Sequence, residues 1–562
     1  MTEWFEGFWA IYSHVVLSLG IHALLAISVF ITLSCGMLTL ANAAFMGIGA
    51  YTSAILTLHY GLPYPVALVA GVLVPCAVAW LVGKPTLRLS GVYLCMATLG
   101  FGEVVRVFFL NADVLTRGVV DSGGAMGLDG IEQHTQWWHI LLALLLVLAV
   151  LGRLRRSRVG RAFEAIKEDE TAAGLMGINV TATKMVAFVT GAAIAGLAGV
   201  LSAHLNYFIE PNEFGFDRAV HLLTMTVLGG IQSLVGPLAG SAILTLLPEV
   251  LRFLAEYRLM VNGLILVLIV LFLPRGIWDP PHWRRILRRR PGSPPPPPRI
   301  RPMLEFDSVS KSFGGLHVLQ DVNLRVPKGS IFGLIGPNGA GKTTVFNLAT
   351  GLLQASGGDI RIHGQSLRGL PPHQITRLGM ARTFQNIRIF KEMSLLDNVV
   401  VGSHRHLHYG LGGILLNLPG FRAQEQQARE QALELLRWMR LEHKADEMAD
   451  NLSYGEQRRL EIARALATQP ELLLLDEPVA GMNASEKQEL MQQIRQIRER
   501  GYSIFLIEHD MRFVMGLCDE IAVLNFGRII AHGQPEAIRT NPDVIEAYLG
   551  REDDDTAPEV LP

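Results

Sequence analysis

The sequence runs to 562 residues, half of them hydrophobic and only 18% charged, with a formal net charge of -1. A mean hydropathy of +0.32 is too apolar for an ordinary soluble enzyme, and the near-neutral charge leaves no basic footprint for nucleic acid. Cys35, Cys76, Cys95 and Cys518 have no CxxC or metal-ligand spacing, which argues against a disulfide framework or zinc site and for buried small hydrophobes.

Hydropathy changes sharply near residue 290. Ahead of it, runs long enough to cross about 30 Å of hydrocarbon, roughly 20 residues each, recur about nine times. They fall near 12–34, 36–59, 64–83, 90–111, 137–153, 184–207, 219–233, 237–255 and 259–275. The pair at 219–255 is the least separated, because only a Gly- and Pro-containing stretch divides it. The first ten residues carry Glu3 and Glu6 but no Lys or Arg, so they lack the basic region of a cleaved signal and the first span is expected to be retained.

Basic residues set the orientation. Lys84 and Arg88 flank one short loop, Arg153, Arg155, Arg156, Arg158 and Arg161 crowd another, and Arg284 to Arg290 follow the last span. Nine crossings with the N-terminus outside put all three clusters in the cytoplasm. Gly36, Asn42, Gly47 and Gly49 interrupt an apolar run, either for close helix packing or to break a helix beside a solute path. Glu103 and Arg106, at i,i+3, read as an interfacial pair or as a gate in that path.

The junction is distinctive. Arginines to residue 290 suit anionic headgroups, and Pro294–Pro298 predict a stiff polyproline II spacer of about 3.1 Å per residue. The expected organisation is a membrane domain over 1–283, an Arg/Pro-rich linker over 284–302, a globular domain over 303–550 and an acidic tail over 551–562.

From Met303 onward short β-rich runs alternate with helices. Ile331–Ile335 is a continuous apolar run, followed directly by Gly336, Pro337, Asn338, Gly339, Ala340, Gly341, Lys342, Thr343 and Thr344. A strand, a glycine-rich loop and a helix in this order form a phosphate cradle, the backbone N–H groups facing the anion at the positive end of the helix. Lys342 would reach the β- and γ-phosphates, and the Thr343 hydroxyl would ligate Mg²⁺.

The remaining parts follow in order. Leu472–Leu475 is a buried-strand pattern ending in Asp476, expected to hold Mg²⁺ through water, and Glu477, expected to orient or deprotonate the attacking water. Gln385 is placed to sense metal or γ-phosphate, and His509, after the run Ser503–Ile507, to approach the γ-phosphate. Ser453, Tyr454, Gly455, Glu456 and Gln457 precede an apolar-faced helix. Ser453 and Glu456 make a capping box, while the bare Gly455 at the helix start suits an anion held by another subunit.

With these motifs in sequence, the second half resembles the nucleotide-binding domain of ABC transporters: Walker A, Q-loop, signature, Walker B and H-switch are all matched. The resemblance implies that Phe313 stacks on adenine and that ATP and Mg²⁺ are the cofactors. Tyr454 and Glu456 depart from the commoner LSGGQ signature, and Asn483 stands where many have an aspartate. The expected fold is an α-helical polytopic membrane domain followed by an α/β P-loop domain of ABC type.

Within the membrane half, Glu170, Ala172 and Ala173 followed by Gly177 resemble the EAA loop of ABC importer permeases, whose short helix docks on the ATPase. LSYGEQRRLEIARAL, AGMN and the ending GRIIAHGQPEAIRTNPDVIEAYLG look like the LivG-type ATPase of branched-chain amino acid importers. AAFMGIGAYTSAIL (43–56) and VLGGIQSLVGPLAG (227–240) look like the LivM-type permease. The resemblance implies a natural fusion of two usually separate subunits in a bacterial inner membrane, multi-pass, with its ATPase domain in the cytoplasm. It implies import of a branched-chain or other hydrophobic amino acid, with urea, amides or aromatic acids as the alternative cargo. An ATP-gated channel or transport-linked sensor is the reading from a different class. The implied partners are a LivH-like permease and a LivF-like ATPase, or a second copy of this chain, with a periplasmic substrate-binding protein, the lipid bilayer and no nucleic acid.

Overall fold

A computed structural model describes residues 2–112, 124–250 and 302–549. The chain divides into two compact units: Met1–Lys167 with Val180–Arg285, and Glu168–Asn179 with Ile286–Pro562.

The first unit is helical. Among the described residues, five helices are long and apolar enough to cross a membrane: Tyr12–Leu33, Tyr64–Thr86, Val92–Leu110, Trp137–Arg155 and Val180–Asn206. Asn42–Leu58 and Val235–Leu247 are apolar but shorter, and Phe216–Gly229 has 14 residues. The apolar run expected from residue 36 becomes helical only at Asn42. Gly36 adopts φ +73° and residues 37–40 are not helical, so the run is broken where a left-handed residue ends the turn. The expected run 259–275 lies outside the described residues, as do the acidic tail and the linker up to residue 301.

Val180–Asn206 and Tyr12–Leu33 form the centre, 67% and 61% buried, whereas the other three long helices are 28% buried and turn apolar faces outward. The central contact is made of backbone. A Cβ on Gly49 would stand 2.5 Å from the Gly196 carbonyl oxygen, and one on Gly196 would stand 2.7 Å from that of Gly71. Helices Asn42–Leu58, Tyr64–Thr86 and Val180–Asn206 therefore meet at distances only glycine permits. Asn42, buried at the start of its helix, donates to the Ser28 hydroxyl at 2.9 Å. Arg106 pairs with Glu103 at 2.8 Å and donates to Asn212 at 3.0 Å, with both charged side chains partly exposed.

The second unit has two sheets. A four-stranded antiparallel sheet has the order β2-β1-β4-β5, from β1 (Pro302–Phe313), β2 (Leu316–Pro327), β4 (Gly357–Ile362) and β5 (Gln365–Ser366). A six-stranded sheet has the order β10-β9-β3-β8-β7-β6. Its strands are β3 (Ile331–Ile335), β6 (Met380–Arg382), β7 (Leu472–Asp476), β8 (Ser503–Ile507), β9 (Glu520–Asn525) and β10 (Arg528–Gly533). All pairings are parallel except that of β10 at the edge. β3, β7 and β8 are buried at every position, as expected of parallel strands covered on both faces. Helices Leu395–Gly402, Pro419–Trp438 and Tyr454–Ala467 pack on one another beside this sheet.

Candidate functional site

Ligand sites of parallel sheets gather beyond the carboxyl ends of the strands. Here three adjacent strands each deliver a motif there: β3 leads into 336–341, β7 into Asp476 and Glu477, and β8 into His509. The loop after β3 turns sharply through Gly341, at φ +105°, into helix Lys342–Ala349. A side chain on Gly336 would strike the Leu524 carbonyl of β9, so glycine is required there by close approach.

Lys342 is 8% exposed, and its ammonium donates to the Gly336 and Pro337 carbonyls at 2.7 and 2.9 Å. Burial pushes its pKa below the ordinary lysine value, against the opposing pull of Glu477 and Asp476. Asn338, on the loop, and Thr343, in the first turn of the helix, are exposed.

Asp476 is buried, and its Oδ2 accepts from Arg382 at 2.8 Å. Burial raises its carboxyl above the usual aspartate value, with Arg382 acting in the opposite direction. Its other oxygen, Oδ1, is buried with no hydrogen-bond partner. A buried carboxylate oxygen left unpaired is costly, and a hydrated divalent cation would satisfy it. The donor set therefore fits Mg²⁺, with Asp476 and the exposed Thr343 hydroxyl as the groups to hold it.

Glu477 has the left-handed φ of +45°, held by its N–H bond to the Ile507 carbonyl at 2.9 Å. That conformation is strained for a side chain with a Cβ and turns the residue sharply off the strand end. His509 Nδ1 lies 3.8 Å from Glu477 Oε2. The loops after β7 and β8 are tied together by Glu508, a fully buried carboxylate absent from the sequence-based candidates. It accepts from the backbone N–H groups of Val479, His509 and Asp510 at 3.0, 2.8 and 3.2 Å.

Gln385 is exposed, and its carbonyl accepts from Arg458 at 2.9 Å. Phe313 is half exposed at the end of β1, with the Lys311 ammonium 4.8 Å from its ring centre. The signature residues gather instead around residues 481–486, where a turn enters helix Ala484–Glu499. The Tyr454 ring lies 3.3 Å from where a Gly481 Cβ would be, and Glu486 Oε1 lies 3.1 Å from a Gly455 Cβ. The capping box forms: Glu456 accepts from the Ser453 N–H at 3.0 Å and pairs with Lys444 at 2.8 Å. Gln457 donates to the Leu452 carbonyl at 3.0 Å. Asn483 caps helix Ala484–Glu499 by accepting from Glu486 N–H at 2.9 Å, a structural use of the position where an aspartate is commoner in the family it resembles.

Residues 168–179 fold with this unit. Helix Glu170–Leu175 is capped by Asp169, which accepts from Ala172 N–H at 2.8 Å. Ala172 and Ala173 are fully buried, whereas Glu170 is exposed. The Leu175 carbonyl accepts from Thr376 at 3.0 Å, Glu168 accepts from the Glu392 N–H at 2.9 Å, and Asp169 pairs with Arg388 at 2.8 Å. Gly177, at φ +82°, turns the chain beside Arg405 and Thr376.

The family model described as ABC transporter matches residues 319–480, and that described as branched-chain amino acid ATP-binding cassette transporter matches 528–554. The high-affinity branched-chain amino acid transport ATP-binding protein BraF of Pseudomonas aeruginosa is 49% identical over 251 residues, 44% of this chain and 98% of that protein. The chain belongs to the ABC transporter family. LivG of Escherichia coli K12, another high-affinity branched-chain amino acid transport ATP-binding protein, is likewise 49% identical, over 44% of this chain and 98% of that protein. A crystal structure of a nucleotide-free ATP-binding cassette from an ABC transporter is 29% identical, covering 45% of this chain and 100% of that one, with a TM-score of 0.39. The first half matches the model described as branched-chain amino acid transport system / permease component over residues 11–270. This ABC transporter chain thus joins a permease to an ATP-binding cassette.

Proposed function

We propose that the chain is the permease and ATPase subunit of an ATP-driven importer of branched-chain or other hydrophobic amino acids. One observation carries the reading: a branched-chain amino acid permease match over residues 11–270 runs, in one polypeptide, into a cassette 49% identical to branched-chain amino acid transport ATP-binding proteins. The membrane is the bacterial inner membrane, and the cassette faces the cytoplasm on the side of the arginine-rich loops.

Residues 336–344 hold the triphosphate, with Lys342 leaving the loop carbonyls for the β- and γ-phosphates and Phe313 under the adenine. Asp476 and Thr343 would hold Mg²⁺, with Gln385 to sense it, and the ion would supply charge neutralisation at the phosphates. Glu477 takes the proton of the attacking water or orients it, and His509, beside it, donates toward the γ-phosphate. Ser453 to Gln457 complete the site of a partner ATPase, because in a head-to-tail pair each Walker A loop faces the other subunit's signature. A LivF-like ATPase is the favoured partner, with a LivH-like permease and a periplasmic substrate-binding protein. Helix Glu170–Leu175, with Gly177 as its exit turn, is the coupling element.

Proteoliposomes holding the full set of subunits should concentrate leucine against its gradient when ATP is supplied on the cassette side. Flux that runs only downhill would make the chain an ATP-gated channel. Accumulation of urea, an amide or an aromatic acid in place of leucine would keep the pump and replace its cargo.

A further inference from the structure

The helix that begins after Ser453 carries three charges on its buried side. Arg458 is 0% exposed and Glu461 1%, and they pair at 2.9 Å. Arg464, 1% exposed, lies 4.5 Å from the centre of the Phe390 ring. An isolated buried ion pair adds little net stability over apolar side chains of similar volume. What the charges add is direction, since their hydrogen bonds end on particular backbone atoms.

Those atoms surround Gln385. Arg458 donates to the carbonyls of Phe384 and Gln385, the latter at 2.9 Å, and lies 3.5 Å from the carbonyl of Glu477. Glu461 Oε1 accepts from the N–H groups of Phe384 and Arg388 at 3.2 and 3.3 Å. Arg464 donates to the Arg388 carbonyl. Segment 384–388 is thus gripped before and after Gln385 by side chains of one helix. The same helix starts with the signature.

We propose that Arg458 and Glu461 are positioning residues that couple two ATP sites: the one served by Gln385, and the one on the partner ATPase that their own helix completes. The proposal rests on the reading that the signature acts on the partner's nucleotide. When the helix start closes on that nucleotide, segment 384–388 moves with it, because its backbone bonds leave it no independent position. Linkage makes the effect reciprocal, so nucleotide contact at Gln385 favours signature closure on the other site.

The test measures ATP hydrolysis against ATP concentration by the full chain assembled with its partner ATPase and permease subunits. The unmodified assembly should give a Hill coefficient well above 1, with about 2 as the limit for two sites. E461Q keeps the shape and a backbone acceptor but leaves Arg458 without its carboxylate partner, so it should lower the coefficient. R458M/E461L removes both charges together, the change buried pairs tolerate best, and should bring it to about 1 while a fluorescent ATP analogue still binds. That double variant carries the test if E461Q does not fold. Cooperativity that survives R458M/E461L, or is absent from the unmodified assembly, overturns the proposal. Leucine accumulation in the same proteoliposomes reports separately on the transport reading: failure there with cooperative hydrolysis intact strikes the importer and not this coupling.

Discussion

The two units hold themselves together by opposite means. At the proposed ATP site, named side chains are fixed by directional bonds: Arg382 on Asp476, Glu508 on three N–H groups, and Lys342 on two carbonyls. At the centre of the permease unit the side chains are missing, and the helix backbones touch at Gly49, Gly71 and Gly196. In water a buried polar network is specified by partners, whereas helices within lipid gain by close approach. Chemistry therefore depends on residue type in one unit, and architecture depends on residue size in the other.

The strongest way to sharpen this contrast is Glu477→Gln, which changes chemistry and almost nothing of shape. ATP binding should persist while turnover falls by about 10²–10⁴, the range for removing a general base. Undiminished phosphate release would take Glu477 out of the catalytic role. Next comes Gly196→Leu, which changes size and no chemistry. Forcing a branched side chain against backbone costs about 1–3 kcal/mol where the site can relax, and more where it cannot. The variant should survive heating in detergent less well than Val69→Leu on the outward face, where Val69 is 54% exposed. Equal survival of the two would mean that backbone contact is not what holds the helices. The smallest expected effect is that of Arg388→Gln. Its pair with Asp169 is partly exposed, and such pairs contribute about 0–1 kcal/mol, so leucine moved per ATP hydrolysed should fall about threefold with folding intact. An unchanged ratio would leave the docking of segment 168–179 to Thr376 and the backbone bonds.

The same contrast explains what the sequence discloses. Strand β3, the loop at 336–341 and the helix from Lys342 are legible together because a phosphate cradle needs an apolar strand, glycines and a helix start in immediate succession. The capping box at Ser453 is legible for a similar local reason. Arg382, Arg458, Glu461 and Glu508 are not, since each also binds a segment distant in sequence: Asp476, residues 384–388 and Val479. One hint was present: Glu461 and Arg464 interrupt the apolar positions of their helix, and a charge on a buried face must find a partner inside. In the permease unit, hydropathy locates the runs but not their breaks. The stretch 37–40 is as apolar as the helices around it, and only the conformation of Gly36 marks the end of the first helix.

The glycine contact has a mechanical consequence. Packed side chains let helices slip, because each can swing to a neighbouring rotamer as ridge passes groove. Gly49, Gly71 and Gly196 have nothing to swing, and a lateral shift would drive carbonyl oxygens into the opposing main chain. Helices Asn42–Leu58, Tyr64–Thr86 and Val180–Asn206 therefore behave as a single casting. Whatever opens a passage through this unit must turn around that piece rather than within it.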